Sequence, residues 1–185
     1  MRPEIVRGRP VWVAEVTEPS RGGLIMGMDV YGKKPTAPEG EYFRNNVWSW
    51  RPLADYVLST APRDLTDRCA YWHSNDGAGL DAEDSVRLAD ILQAEIDAGR
   101  TATYERVYAS NQERTPNVPC NICAGTGRRL PIPERGAGDV ATGIKCNGCG
   151  GEGTVRPYST MYPFSEENIV NFVRFLRACG GFDIC

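Results

Sequence analysis

Apolar residues recur along the chain in two rhythms, a short alternating one near its start and a helical one through most of the rest. Val11 and Val13 alternate with their neighbours as a strand does, up to the turn Glu18-Pro19-Ser20-Arg21-Gly22-Gly23. A second apolar run, residues 24–31, is expected to pair back on that strand as a hairpin. Residues 33–41 form a loop punctuated by proline and glycine. Pro52 then fits the first turn of a helix whose stripe is Leu53, Tyr56 and Val57, with Pro62 closing it. The polar loop Trp72-His73-Ser74-Asn75-Asp76-Gly77-Ala78-Gly79 feeds a strongly signalled helix. Asp81 is its cap, Glu83 and Asp84 lie in its first turn, Val86, Ala89, Leu92 and Ile96 make its apolar face, and Gly99 stops it. A further helical piece spans 103–110 before Pro116 and Pro119. The clearest helix is the last. Ser165 caps it, Glu166 and Glu167 face its dipole, Ile169, Val170, Phe172, Val173 and Leu176 supply a broad face, and Gly180-Gly181 end it.

These elements predict an α+β fold: a small helical core, a short hairpin, and an inserted module between the penultimate and last helical elements. The expected divisions are an N-terminal extension or strand (1–25), a helical core (26–116), the insertion (117–156) and a C-terminal helix completing the core (157–185). Met26-Gly27-Met28-Asp29-Val30-Tyr31-Gly32 also reads as a natural beginning, with Arg21-Gly22-Gly23 as translated leader.

Composition narrows the picture. With 185 residues, 41% apolar content and 20 glycines, the chain can bury one modest core with long connections. Its net charge of -3 argues against a generic nucleic-acid binder, whose usual footprint is basic. Residues 120–156 depart from that average, because Arg128, Arg129, Arg135, Lys145 and Arg156 outnumber Glu134, Asp139 and Glu152. No apolar run reaches membrane-spanning length, and Met1-Arg2-Pro3-Glu4 leads into no secretory apolar region. The expectation is a cytoplasmic protein in a reducing compartment, with no membrane partner. Cys69 and Cys179 sit on apolar-patterned stretches and are expected to be small buried hydrophobes.

The chemistry is concentrated in two octets, Cys120-Asn121-Ile122-Cys123-Ala124-Gly125-Thr126-Gly127 and Cys146-Asn147-Gly148-Cys149-Gly150-Gly151-Glu152-Gly153. Each is a complete C-x-x-C-x-G-x-G knuckle. Two thiols at this spacing can face one metal, and two pairs complete the tetrahedral four-sulfur set that zinc prefers. The glycines let the backbone curl behind each second cysteine and aim amide N–H groups at sulfur. Cys120, Cys123, Cys146 and Cys149 are therefore the expected zinc ligands. Disulfides are the weaker reading for adjacent pairs in such a chain, and neither pair has the βαβ setting of a thioredoxin-like redox motif.

The knuckle resembles the zinc-finger region of J-domain co-chaperones, and the likeness is confined to these two repeats. That family carries four repeats building two zinc sites, so two repeats here imply one ion. Its co-chaperone activity needs a His-Pro-Asp tripeptide; His73, the only histidine, is followed by Ser74 and Asn75, so that activity is not implied. Residues 26–32, 42–52, 74–81, the knuckles and 164–185 together resemble an uncharacterised family of small phage and prophage proteins. That resemblance omits residues 1–25, implies a phage-encoded protein acting in a bacterial host cell, and implies no catalytic residues.

Two further groups offer chemistry. Arg44, Asn45, Asn46, Trp48, Trp50 and Arg51 combine phosphate-matching guanidinium forks, stacking indoles and edge-reading amides, the ingredients of a nucleotide pocket. They are also ordinary components of a small helical core, with the tryptophans buried, one arginine salt-bridged and the asparagines in caps, and core packing is the favoured reading. His73, Asp76 and Cys69 lie close enough in sequence to suggest a hydrolase, although Asn75-Asp76-Gly77 is a turn signature in its own right. Asp29, Asp76 and Asp81 could hold a hard cation, but the calcium-loop pattern is absent. The expected function is a zinc-stabilised binding protein that occupies a host protein or sequesters a small nucleotide-like ligand, with a role against host defence. The alternatives are a small enzyme acting on a nucleotide or nucleic acid, and a nucleic-acid-binding regulator.

Overall fold

A computed structural model of the chain describes residues 2–6, 9–13, 27–129 and 143–185. Near the start, β1 (Arg2–Val6) pairs antiparallel with β2 (Arg9–Val13), Arg2 opposite Val13. The main sheet opens with β3 (Gly27–Gly32). The 3-10 turn Pro38–Gly40 then leads to β4 (Tyr42–Asn46), which runs straight into α1 (Val47–Thr60). A single helical turn, α2 (Arg63–Thr66), and a short strand, β5 (Ala78–Leu80), precede α3 (Ala82–Asp97) and α4 (Arg100–Arg114). Four two-residue strands carry the cysteine module: β6 (Val118–Pro119), β7 (Arg128–Arg129), β8 (Ile144–Lys145) and β9 (Thr154–Val155). The 3-10 turn Tyr158–Met161, α5 (Glu166–Ala178) and β10 (Phe182–Ile184) complete the chain.

The fold is α+β, a helical layer on one face of an antiparallel sheet ordered β4-β3-β10-β5. Alternation decides which face is covered. Met28 and Val30 of β3, Phe43 of β4, and Phe182 and Ile184 of β10 point into the core, whereas Tyr31, Tyr42 and Arg44 are exposed. Phe172 and Phe175 of α5 meet Phe43 and Phe182 with ring centroids 5.1–6.2 Å apart. Leu88, Ala89 and Leu92 of α3 and Trp50, Leu53 and Val57 of α1 close the same cluster. Arrays of this kind add directional ring contacts to a large burial of apolar area.

Several elements differ from the sequence reading. β2 pairs with β1 and not with the run that becomes β3, which lies between β4 and β10. The predicted turn at 18–23 and the alternative start at Met26 lie outside the described residues. Helix α1 begins five residues before Pro52. Asn46 caps it by accepting from the Ser49 amide at 2.8 Å, and burying Trp50 outweighs the one intrahelical bond that Pro52 forfeits. Asp81 does cap α3, accepting from the Asp84 amide at 2.9 Å, but Val86 is 43% exposed and the buried face is Ser85, Leu88, Ala89 and Leu92. Ser165 makes no side-chain capping bond; the Glu166 amide donates instead to Glu105 at 3.4 Å. Phe175, fully buried, belongs to the face of α5, and Val170 is only half-buried. β5 and β10 went unread, since each is three residues long and carries no alternation that a sequence can display.

Candidate metal centre and neighbouring pocket

Among its described residues the cysteine module has almost no apolar interior. Its buried cluster consists of Cys120, Cys123, Cys146 and Cys149 with Val155 packed against them, while Val118, Ile122 and Ile144 are exposed. The four Sγ atoms lie within 4.8 Å of one another, and no disulfide links them. Cys120 and Cys146 have their sulfurs 3.9 Å apart, Cys123 and Cys149 3.8 Å. A tetrahedral ion with metal–sulfur bonds of about 2.3 Å needs sulfurs about 3.8 Å apart, so the donor set fits such an ion. Among the described residues no other cluster of ligating side chains could hold a metal.

The two knuckles repeat one another bond for bond. The Gly127 amide donates to Cys123 Sγ and the Gly153 amide to Cys149 Sγ, each at 3.2 Å. The Cys120 amide reaches Gly153 O at 2.8 Å, and the Cys146 amide reaches Gly127 O at 2.9 Å. Left-handed backbone recurs at matching places: Ala124 and Gly150, Gly125 and Gly151, Gly127 and Gly153. Burial pushes the Cys123 thiol up, but the Gly127 amide and the three neighbouring thiols more than offset it and bring it down to about 7. A thiol that ionises near neutrality is ready to act as a metal ligand.

The module is tied back to the helical core. Strand β6 leaves the end of α4 and pairs with β9, and Arg156 follows β9 directly. Its guanidinium donates to the carbonyls of Gln112 at 2.6 Å and Thr115 at 2.8 Å, completing the C-terminus of α4. One of the excess bases of residues 120–156 is thus spent on structure. Arg135, Glu134 and Asp139 fall outside the described residues.

The remaining candidates scatter. Arg44 is exposed on the face of the sheet that points away from the helices. Asn45 is buried and donates to Asn168 Oδ1 at 3.1 Å, and Asn168 donates to Ser49 O at 3.3 Å, a chain that locks β4, α5 and α1 together. Asn46 is the cap of α1. Trp50 is fully buried with its Nε1 on Trp72 O at 2.6 Å, a core residue. Trp48 is half-buried and packs on Tyr158 at 5.0 Å and Tyr162 at 4.9 Å. Arg51 lies 5.8 Å above the Tyr162 ring. Asp76 accepts from Ser74 within the loop, Asp29 accepts from Tyr42, and Asp81 caps α3, so the three carboxylates form no common cation site. His73 Nε2 pairs with Asp55 Oδ1 at 3.1 Å. Cys69 is buried and its thiol is pushed up to about 11 by that burial, which makes it a poor nucleophile.

What the sequence reading missed is a pocket of about 700 Å³ between α1, α4 and the 3-10 turn Tyr158–Met161. Arg51, Asp55, Tyr108, Tyr158 and Tyr162 line it. The available signal was the run Pro157-Tyr158-Ser159-Thr160-Met161-Tyr162-Pro163, two tyrosines between two prolines. A second cavity of about 520 Å³ lies beside Cys69, Tyr71 and His73. No described helix is long and apolar enough to cross a membrane. Comparison with protein-family models, curated proteins and solved structures gave no match.

Proposed function

We propose that the chain is a zinc-stabilised binding protein, phage-encoded as its resemblance implies, that sequesters a small nucleotide-like ligand in a bacterial host cell. The observation that carries the metal half is the four-sulfur cluster with an amide aimed at the second sulfur of each knuckle. Four thiolates fill the shell of a tetrahedral ion and quench its Lewis acidity, so zinc would supply structure and no chemistry here. The cluster of tyrosines around Arg51 supports a small ligand over a host-protein partner, since it lines a concave pocket and not a flat apolar face. The acidic net charge weighs against a nucleic-acid-binding regulator.

The His73–Asp55 pair favours a second reading, a small enzyme acting on a nucleotide. Asp55 lines the aromatic pocket and orients the imidazole, which lines the cavity beside Cys69, an arrangement that can serve a general base there. Metal analysis of the purified chain should find one zinc, lost with alanine at any of the four cysteines. Cobalt-substituted protein should show intense thiolate charge-transfer bands. No metal, or two stoichiometric ions, defeats the first reading. His73→Ala should keep metal and ligand binding; loss of a measured nucleotide turnover with fold and zinc intact would establish the enzyme instead.

A further inference from the structure

We propose that the pocket between α1, α4 and the 3-10 turn Tyr158–Met161 binds a free nucleoside monophosphate, and that the metal centre holds its tyrosine wall in place. The proposal deepens the ligand-binding reading above and rests on it. Three features define the ligand. Tyr158 and Tyr162 pack edge-to-face with centroids 5.6 Å apart and both rest on Trp48, which leaves the exposed Tyr158 ring as the surface on which a planar heterocycle can stack. Arg51 is poised over Tyr162, and among the described residues it makes no ion pair, so its planar fork is available to an anion. Asp55 brings a carboxylate to the same cavity, an acceptor for ring, exocyclic or ribose donors. A simple anion would leave the rings unused. A polyphosphate would call for more than the single arginine that lines the cavity. A nucleic-acid strand would meet a chain of net charge -3. A volume of about 700 Å³ is ample for one nucleotide.

The coupling to metal follows from how the wall is held. The segment from Arg156 to Tyr162 is latched to α4 at both ends. At one end Arg156 caps the helix; at the other the Tyr162 carbonyl accepts from Tyr108 Oη at 2.9 Å and Gln112 Nε2 at 2.7 Å. Arg156 arrives at its carbonyls because β9 lies against β6, and that pairing is closed by the cysteines on either side of it. Since Val155 is the one apolar side chain packed on the cysteines among the described residues, removing the metal opens the long connection between α4 and Arg156 and releases Tyr158.

The test is calorimetric titration of zinc-loaded full-length chain with AMP, GMP, CMP and UMP, alongside tryptophan fluorescence for Trp48. At least one should bind saturably. Arg51→Ala and Tyr158→Ala should each weaken it about tenfold or more, with Arg51→Lys intermediate and melting temperature held. Chelation should weaken binding comparably while far-UV helicity persists. No binding by any of the four at millimolar concentration, or full binding by Arg51→Ala, overturns the site. Undiminished binding after chelation overturns the metal dependence. Tighter binding of a single-stranded oligonucleotide than of its mononucleotide overturns the free-nucleotide assignment. Zinc present without binding of any of the four monophosphates sinks this proposal and leaves the zinc-stabilised reading standing, whereas a metal-free chain sinks the reading beneath it.

Discussion

Gly127→Ala should cripple the metal centre without touching a ligand. Gly127 has φ +72°, and a Cβ built there would stand 3.1 Å from the Gly151 carbonyl carbon and closer still to its oxygen, well inside the 3.0 Å that real Cβ atoms keep. Gly153, at φ +79°, meets the Gly125 carbonyl in the same way. Left-handed backbone costs a non-glycine residue about 1–2 kcal/mol. Moving the backbone to relieve the clash also pulls the Gly127 amide off Cys123 Sγ, 3.2 Å away, and a hydrogen bond to a charged group is worth about 1.5–3 kcal/mol. Together these come to roughly 2.5–5 kcal/mol, about two to four decades in metal affinity. Gly150→Ala is the control. Gly150 has φ +59° with nothing within 4 Å, and its counterpart in the other knuckle, Ala124, already carries a Cβ at φ +48°. That variant should lose only about 1 kcal/mol. The assay is competition for zinc against a chromogenic chelator, with circular dichroism to confirm that the helices remain. Gly127→Ala and Gly153→Ala holding zinc within about threefold of the parent would refute the argument, because no tight backbone approach would then be shaping the site.

Trp50→Ala should cost about 3–5 kcal/mol in chemical denaturation, since Trp50 is fully buried and its loss orphans the Trp72 carbonyl; half-buried Trp48→Ala should cost roughly half of that or less. Equal losses would contradict the division of the two indoles between the core and the support of the pocket's tyrosines. The Arg100 guanidinium hydrogen-bonds Glu95 and holds its carboxyl below the usual range. A lowered folded pKa contributes stability that is present above the unfolded value and lost as pH falls through the folded one, so Glu95→Gln should flatten the acid limb of the stability profile. An unchanged acid limb would remove this pair from the account.

The sequence alone determined what depends on local order. C-x-x-C-x-G-x-G marks four cysteines able to share one metal ion because the curl behind each second cysteine is set by its own backbone, so spacing and glycine positions suffice. The bodies of α3 and α5 were legible for a related reason, their periodicity and Asp81 or glutamate-rich starts being properties of a single helix. Tertiary structure decided whatever depends on partners distant in the chain. Phe182–Ile184 is a strand because β3 and β5 flank it, and β4 and α1 meet at Asn46 because Trp50 needs a buried seat beneath Trp72. The same holds at the pocket. Arg51, Tyr108 and Tyr162 are far apart in sequence, and the Asp55–His73 pair joins helix α1 to the loop that follows α2. Tyr162 comes to them because its carbonyl finds donors on α4, an energy of packing and hydrogen bonding that no periodicity records.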